Sequence, residues 1–191
     1  MRRSAKAFFL AVLPWTLVVA GCGSSSPTVQ SAAGISIPFS SPAISGTVIP
    51  TAYTCDGRDI TPPLTWGTMP SGVKSVVLFV IGLVPISNGS EKISVEWAVA
   101  GLNPALHHLR AGGVPPTADI GTAQGGRKHY SLCPRRGEDR HYRFLLYGVP
   151  GSIRIPRKFN AGELLDVLAS SRSSYGTRYG GSFPASYTRK S

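Results

Sequence analysis

A continuous apolar run at residues 75–83, which reads S-V-V-L-F-V-I-G-L, constrains the fold of this chain more than any other segment. Four of its residues are β-branched valine or isoleucine. Pro-Ser-Gly at 70–72 precedes the run and Pro85 follows it, so turn residues bound both ends. A short apolar run between turn residues is typical of a strand that is buried on both faces.

The rest of the pattern is also mostly β. Apolar runs at 95–102 and 142–149 predict two further buried strands. Weaker strand candidates lie at 35–39, 46–49 and 64–66. Long connections rich in glycine and proline separate the strands, and no internal repeat is present.

One helix and a polar tail are expected after the last strand. Asn160 can cap the helix, with Glu163 three residues later, and the helix should end near Ser170. Residues 171–191 are rich in serine, glycine, tyrosine and arginine without a clear apolar period. The sequence therefore predicts one domain at 35–170, followed by a basic polar tail at 171–191 that is partly disordered.

Residues 1–21 have the organisation of a bacterial lipoprotein signal peptide. The start is basic, residues 7–20 are mainly apolar, and small residues precede Cys22. The apolar run is short for a transmembrane helix. We therefore expect Cys22 to carry diacylglycerol, and the serine-rich residues 22–34 to form a flexible tether. The alternative is an ordinary secretory signal with a chance cysteine.

Lipidation at Cys22 would anchor the protein on the extracytoplasmic face of the cell membrane. A processed lipoprotein carries at least two acyl chains, and two chains hold a protein firmly where one holds it only marginally. The membrane is therefore the first expected partner, and nucleic acid is not expected as a ligand outside the cell.

Export also bears on the two remaining cysteines, Cys55 and Cys133. Two cysteines in an oxidising compartment favour one disulfide. Two buried free thiols are the alternative.

The positive charge of the chain is concentrated in its second part. The formal net charge is +11, and from residue 127 onward thirteen Lys and Arg stand against four Asp and Glu. A basic half on an anchored protein favours anionic headgroups, phosphorylated ligands or wall polymers as partners. A generally solvated basic surface explains the same composition.

Three segments carry distinctive motifs. The first is 49–66, I-P-T-A-Y-T-C-D-G-R-D-I-T-P-P-L-T-W, and the second joins the strand at 74–85 to E-W-A-V at 96–99. The third runs through 133–147 and ends in R-H-Y-R-F-L-L-Y. In residues, order and spacing, these segments resemble the phosphatidylethanolamine-binding protein family, specifically its bacterial Raf-kinase-inhibitor-like branch, over about 35–170.

The resemblance implies a mainly β fold, an antiparallel β-sandwich with a few peripheral helices. It also implies a small pocket for phosphate-like anions at one end of the sheet. In the family this pocket is built from an Asp-Pro-Asp-x-Pro loop, a histidine before the aromatic residue of the next strand, and the histidine of a Gly-x-His-Arg-Tyr motif.

This sequence departs from the family at the pocket positions. The loop aligned with Asp-Pro-Asp-x-Pro reads I-G-L-V-P, so both acids are missing and only Pro85 remains. Glu96 replaces the first histidine, and an ungapped alignment puts Arg140 at the second. A shift of one residue would put His141 there instead. The expected ligand-binding set is Asp56, Pro85, Glu96, Arg140, His141 and Tyr142.

Two interpretations of the altered pocket remain open. Arginine can bind phosphate through two parallel hydrogen bonds, so Arg140, His141 and Tyr142 could still hold an anion. Alternatively, Glu96 and Arg140 form a buried ion pair that seals the pocket.

The sequence favours no catalysis, no cofactor and no metal. The histidines at 107, 108 and 129 lack the spacing of a zinc site, no serine lies in a G-x-S-x-G elbow, and G-G-R-K at 125–128 is not a P-loop. We therefore expect a lipid-anchored binding protein for a small anion, a phosphorylated ligand or a lipid headgroup. A protein-interaction or inhibitor module with a closed pocket is the alternative.

Overall fold

The computed structural model describes residues 34–86, 89–170 and 179–191. In chain order the strands and the helix are β1 (Ile35–Ser36), β2 (Phe39–Ser40), β3 (Leu64–Trp66), β4 (Val73–Pro85), β5 (Glu91–Leu102), β6 (His108–Leu109), β7 (Asp119–Ile120), β8 (Asp139–Pro150), α1 (Ala161–Ser170) and β9 (Tyr179–Thr188). Short 3-10 turns lie at Thr51–Tyr53 and Gln124–Gly126. No helix in these ranges is long and apolar enough to cross a membrane.

The strands form two sheets. The larger has the order β1-β9-β8-β4-β5-β7, and the smaller has the order β2-β3-β6. Every pair is antiparallel except β1 with β9. The prediction of a mainly β sandwich is confirmed, with α1 as the α-helix of the described residues.

The central strand β4 explains why its sequence is apolar without interruption. Successive side chains of a strand point to opposite faces of the sheet. Val76, Leu78 and Val80 belong to the core between the two sheets, whereas the residues between them belong to a second cluster under α1. Both faces of β4 are therefore covered, as the apolar run predicts.

The helix α1 covers one face of the large sheet. Asn160 Oδ1 accepts the N–H groups of Gly162 and Glu163 at 2.9 and 3.2 Å, so the expected cap is present. The helix buries its apolar face against the second cluster, which contains Leu164 and Leu168.

The prediction of a polar tail outside the domain is wrong for residues 179–188, which form β9. β9 pairs with β8 along its whole length, from Tyr179 opposite Gly148 to Thr188 opposite Asp139. Alternate side chains such as Ala185 and Tyr187 reach the core. Gly180, Gly181 and Pro184, which precede them in β9, hide this alternation in the sequence. The domain therefore extends beyond 170, while residues 171–178 lie outside the described residues.

Two other predictions have different outcomes. The strand candidate at 46–49 is reduced to a single bridge between Val48 and Ser186. The signal peptide at 1–21, the lipidation site Cys22 and the tether at 22–34 lie outside the described residues, apart from Gly34.

Candidate functional site

A β-bulge places a carboxylate at one end of the sandwich. Val80 pairs with Trp97 but the next residue, Ile81, pairs with Val95, so Glu96 is an additional residue in β5. In an unbroken strand Glu96 would share a face with Ala98, which packs under α1. Its carboxylate instead lies beside Gly82 of β4.

Among the described residues, three side chains contact the Glu96 carboxylate, which is only 9% exposed. Ser94 donates its hydroxyl hydrogen to Oε1 at 2.8 Å. Arg127 Nη2 donates to Oε2 at 2.5 Å, and Arg140 Nη1 lies 3.9 Å from Oε1. The carboxylate is therefore satisfied by groups of the chain itself.

The second arginine is bound more closely by another acid. Arg140 Nε and Nη2 both lie 2.6 Å from Glu138 Oε1, and the Arg135 N–H donates to Glu138 Oε2 at 2.8 Å. Burial raises the pKa of the Glu138 carboxyl, but the Arg135 N–H and the Arg140 guanidinium outweigh this effect and hold that pKa below its ordinary value. Two acids and two arginines thus form a neutral network.

Gly82 makes room for this network. A Cβ atom on Gly82 would lie 2.9 Å from Glu96 Oε1, 3.5 Å from Tyr142 Cε1 and 3.6 Å from Arg140 Nη1. Burial, and then the nearby Glu96 carboxylate, raise the pKa of Tyr142, so its hydroxyl stays neutral.

The structure brings together only part of the predicted ligand set. Glu96, Arg140 and Tyr142 converge around Gly82. His141 points away from them, with a side chain that is 64% exposed and 3.8 Å from Asp139. Pro85 is exposed at the end of β4. Arg140, and not His141, therefore lies beside Glu96.

Asp56 lies near β9 in a separate cluster. Tyr187 donates its hydroxyl hydrogen to Asp56 Oδ2 at 2.8 Å, and Arg189 Nε lies 3.0 Å from Oδ1. The Tyr187 hydrogen bond outweighs burial and, with Arg189 and Arg136, lowers the pKa of Asp56.

A disulfide joins the segments beside this cluster. Cys55 and Cys133 are linked with 2.09 Å between their sulfurs, which is the pairing expected from the sequence. Arg189 Nη1 also contacts Cys133 Sγ at 3.3 Å and donates to Pro134 O at 3.1 Å. The end of the chain, the disulfide and the 51–66 segment are thus connected.

The sequence reasoning missed Arg127 as the closest partner of Glu96. Arg127 follows two glycines with positive φ, Gly125 and Gly126, which turn the chain toward β5. The G-G-R-K run contained this signal, but nothing local shows which acid the arginine meets. Within the described ranges, no group of three His, Cys, Asp or Glu side chains is placed to hold a metal ion.

Comparison with known families agrees with this fold. The phosphatidylethanolamine-binding protein family model matches residues 39–185, which include β2 to β8 and most of β9. The chain belongs to the phosphatidylethanolamine-binding protein family. The match past residue 170 also agrees with the place of β9 in the domain.

Several relatives are 31% identical to this family member over about two thirds of its length. Lipoprotein LppC of Mycobacterium tuberculosis is 31% identical over 130 residues, which cover 67% of this chain and 62% of LppC. A UPF0098 protein of Methanothermobacter thermautotrophicus is 31% identical over 126 residues, covering 63% of this chain and 80% of that protein. The chain thus spans less than two thirds of the length of LppC.

Solved structures share the fold. The phosphatidylethanolamine-binding protein homologue CT736 of Chlamydia trachomatis has a TM-score of 0.66 at 24% identity, covering 81% of this chain and 99% of its own. YbcL of Escherichia coli has a TM-score of 0.65 at 21% identity with the same coverage.

Proposed function

We propose that this family member is a non-catalytic, lipid-anchored binding protein on the extracytoplasmic face of the cell membrane, whose family pocket is closed by its own ion pairs. The observation that carries the proposal is the 2.5 Å contact between Arg127 and Glu96, with Arg140 held by Glu138. An anion at this position would have to displace a carboxylate from two guanidinium groups. Recognition is therefore expected on the surface around the pocket.

The proposed absence of catalysis is supported by how the polar groups at this position are bonded. The Ser94 hydroxyl donates its hydrogen to the Glu96 carboxylate, which also accepts a hydrogen bond from Arg127. A general base needs a free lone pair aimed at the proton it removes. Glu96 is committed to its arginine partners, so the Ser94–Glu96 contact is structural.

The anchor rests on the sequence and on one relative. Residues 1–22 have the lipoprotein pattern, and LppC, 31% identical to this chain, is named a lipoprotein. Cys22→Ala should move the exported protein from the membrane fraction to the soluble fraction, because the thiol that carries the lipid is gone. Retention of Cys22→Ala in the membrane fraction would contradict a lipid anchor.

Titration with inorganic phosphate tests the closed pocket. A chain that starts at Ser24 retains every described strand, the helix and the disulfide, so it suits solution NMR. In the wild type we expect no phosphate-dependent shift of the Gly82, Ser94 and Tyr142 amides. In Glu96→Gln both arginines lack their shared counter-charge, and shifts should appear there.

Glu163→Gln is the matched control, because it removes one carboxylate on the exposed side of α1. It should behave like the wild type. Saturable shifts of the Gly82 and Ser94 amides in the wild type would show that the pocket is open and would refute the proposal.

A protein-interaction module is the second candidate. A closed pocket on an intact fold favours it, because the surface is then what remains for recognition. Crosslinking in intact cells, followed by purification, should recover the same partner in repeated experiments. The control is the same purification of an unrelated lipoprotein. If both purifications recover the same proteins, this candidate fails.

A further inference from the structure

A second cleft lies at the end of β9, beside the disulfide. It measures about 180 Å³ and is lined by Thr51, Asp56, Arg136, Tyr187, Thr188 and Lys190. In the sheet register Tyr187 is the direct neighbour of Arg140. The cleft is therefore next to the closed pocket but is built on β9 and the 51–66 segment.

Hydrogen bonds, an ion pair and the disulfide hold Asp56 and Tyr187 in position at the cleft. Tyr187 and Arg189 both contact the Asp56 carboxylate, and Arg189 also reaches Pro134 O and Cys133 Sγ. The disulfide joins Cys133 to Cys55, the neighbour of Asp56. Groups that are fixed in advance lose less entropy when a ligand binds.

The cleft has an excess of positive charge. Arg136, Arg189 and Lys190 lie around one carboxylate, that of Asp56. Arg189 is paired with Asp56, whereas Arg136 and Lys190 have no ion pair with any described carboxylate. The arginines of the neighbouring pocket are paired with Glu96 and Glu138. Arg136 and Lys190, which flank the cleft, are therefore available to bind an anion.

We propose that the cleft between Arg136 and Lys190 is an anion site that takes a phosphate group. Arginine can offer two parallel N–H donors to phosphate, and lysine a mobile point charge. Thr51 lines the same cleft and carries a hydroxyl that can form a further hydrogen bond. The proposal rests on the closed pocket described above. It places anion binding in the neighbouring cleft and not in the pocket around Glu96 on β4, β5 and β8.

The phosphate group belongs either to a free phosphorylated molecule or to a lipid headgroup, and two experimental arms separate these sources. The first arm titrates inorganic phosphate into the chain from Ser24, against sodium chloride of equal ionic strength. The amides of Thr51, Asp56 and Thr188 should shift and saturate. The second arm measures sedimentation with phosphatidylglycerol–phosphatidylcholine vesicles, against pure phosphatidylcholine vesicles.

The decisive variant is Arg136→Gln with Lys190→Gln. It should weaken phosphate or vesicle binding by about tenfold or more, because charge-assisted bonds to two cations are lost. The matched control is Arg154→Gln with Lys158→Gln, which removes one exposed arginine and one exposed lysine elsewhere. The control should bind within about twofold of the wild type, because salt screens the attraction between a bound anion and exposed charges far from the cleft.

Binding in the phosphate arm assigns a free phosphorylated ligand, and binding in the vesicle arm alone assigns a headgroup. Both outcomes support the site if the decisive variant weakens that binding by about tenfold or more while the control variant does not. Equal losses in the two double variants, or no saturable binding in either arm, would overturn it. Phosphate-dependent shifts of the Gly82 and Ser94 amides would instead refute the closed pocket. The amides of Thr51, Asp56 and Thr188 would still test the cleft independently.

Discussion

At the scale of single residues, the site depends on how charges of opposite sign are paired around Gly82. Glu96 is almost buried, and an unpaired carboxylate there would lose most of its hydration. Arg127 and Ser94 replace that hydration, while Glu138 occupies Arg140. The missing side chain of Gly82 leaves the space in which these groups meet.

Gly82→Ala should destabilise the protein by about 1 to 3 kcal/mol, because the new methyl group would lie 2.9 Å from Glu96 Oε1. Urea unfolding measures the change. Gly181→Ala is the comparison, since its Cβ would lie 2.3 Å from the Ile37 backbone oxygen, which cannot move aside as a side chain can. We expect the Gly181 variant to lose more stability. A Gly82 variant as stable as the wild type would contradict the crowding described here.

The Glu138 carboxyl should make stability depend on pH. Folding lowers its pKa from an ordinary value of 4.5, so its contribution is fully present above that value and is lost as the pH falls through the lowered pKa. Thermal unfolding between about pH 6 and pH 3 should therefore show a smaller acid loss in Glu138→Gln than in the wild type. Glu163→Gln should follow the wild type. Identical pH profiles for all three would contradict the prediction.

At the scale of elements, β9 pairs with β8, and the disulfide links the segments around Cys55 and Cys133. β9 lies beside β8 along ten residues, and the disulfide closes a loop with a sequence separation of 78. Arg189 and Asp56 connect the end of β9 to the disulfide segment. These contacts link residues that are far apart in sequence.

Replacing both Cys55 and Cys133 by alanine should lower stability by up to about 4 to 5 kcal/mol, the chain-entropy value for such a loop. Urea unfolding of the oxidised wild type and the double variant measures it. Non-reducing mass spectrometry of the exported protein should show the Cys55–Cys133 link. Two alkylatable thiols in the native protein would contradict the pairing.

The sequence predicted elements well where local pattern and burial agree. The runs of β4, β5 and β8 are apolar because both sheet faces are covered, and the cap of α1 is a local signal. β9 was missed because Pro184 and two glycines interrupt its alternation, and its pairing with β8 and β1 is not visible locally. The Glu96–Arg127 contact was missed because a bulge and a turn create it, and neither is visible locally.

At the scale of the whole molecule, the family fold is retained, and we propose that its pocket position is closed by the chain's own ion pairs. The family model covers residues 39–185, and structures with TM-scores of 0.66 and 0.65 share the architecture. The two acids and two arginines at the sheet end balance one another in charge. At the neighbouring cleft, Arg136 and Lys190 have no ion pair with any carboxylate in the part of the chain that the structure describes. If the pocket is closed as proposed, we expect this basic surface to determine what the protein binds.

A double-mutant cycle between Glu96 and Arg127 tests the closed pocket most directly. Glu96→Gln, Arg127→Met and the combination are compared with the wild type by urea unfolding. Glu96 is nearly buried and Arg127 is 35% exposed, so the coupling free energy should lie between exposed and buried pairs, at about 1 to 2 kcal/mol. Additive losses, with a coupling indistinguishable from zero, would show that the two side chains do not close the pocket together.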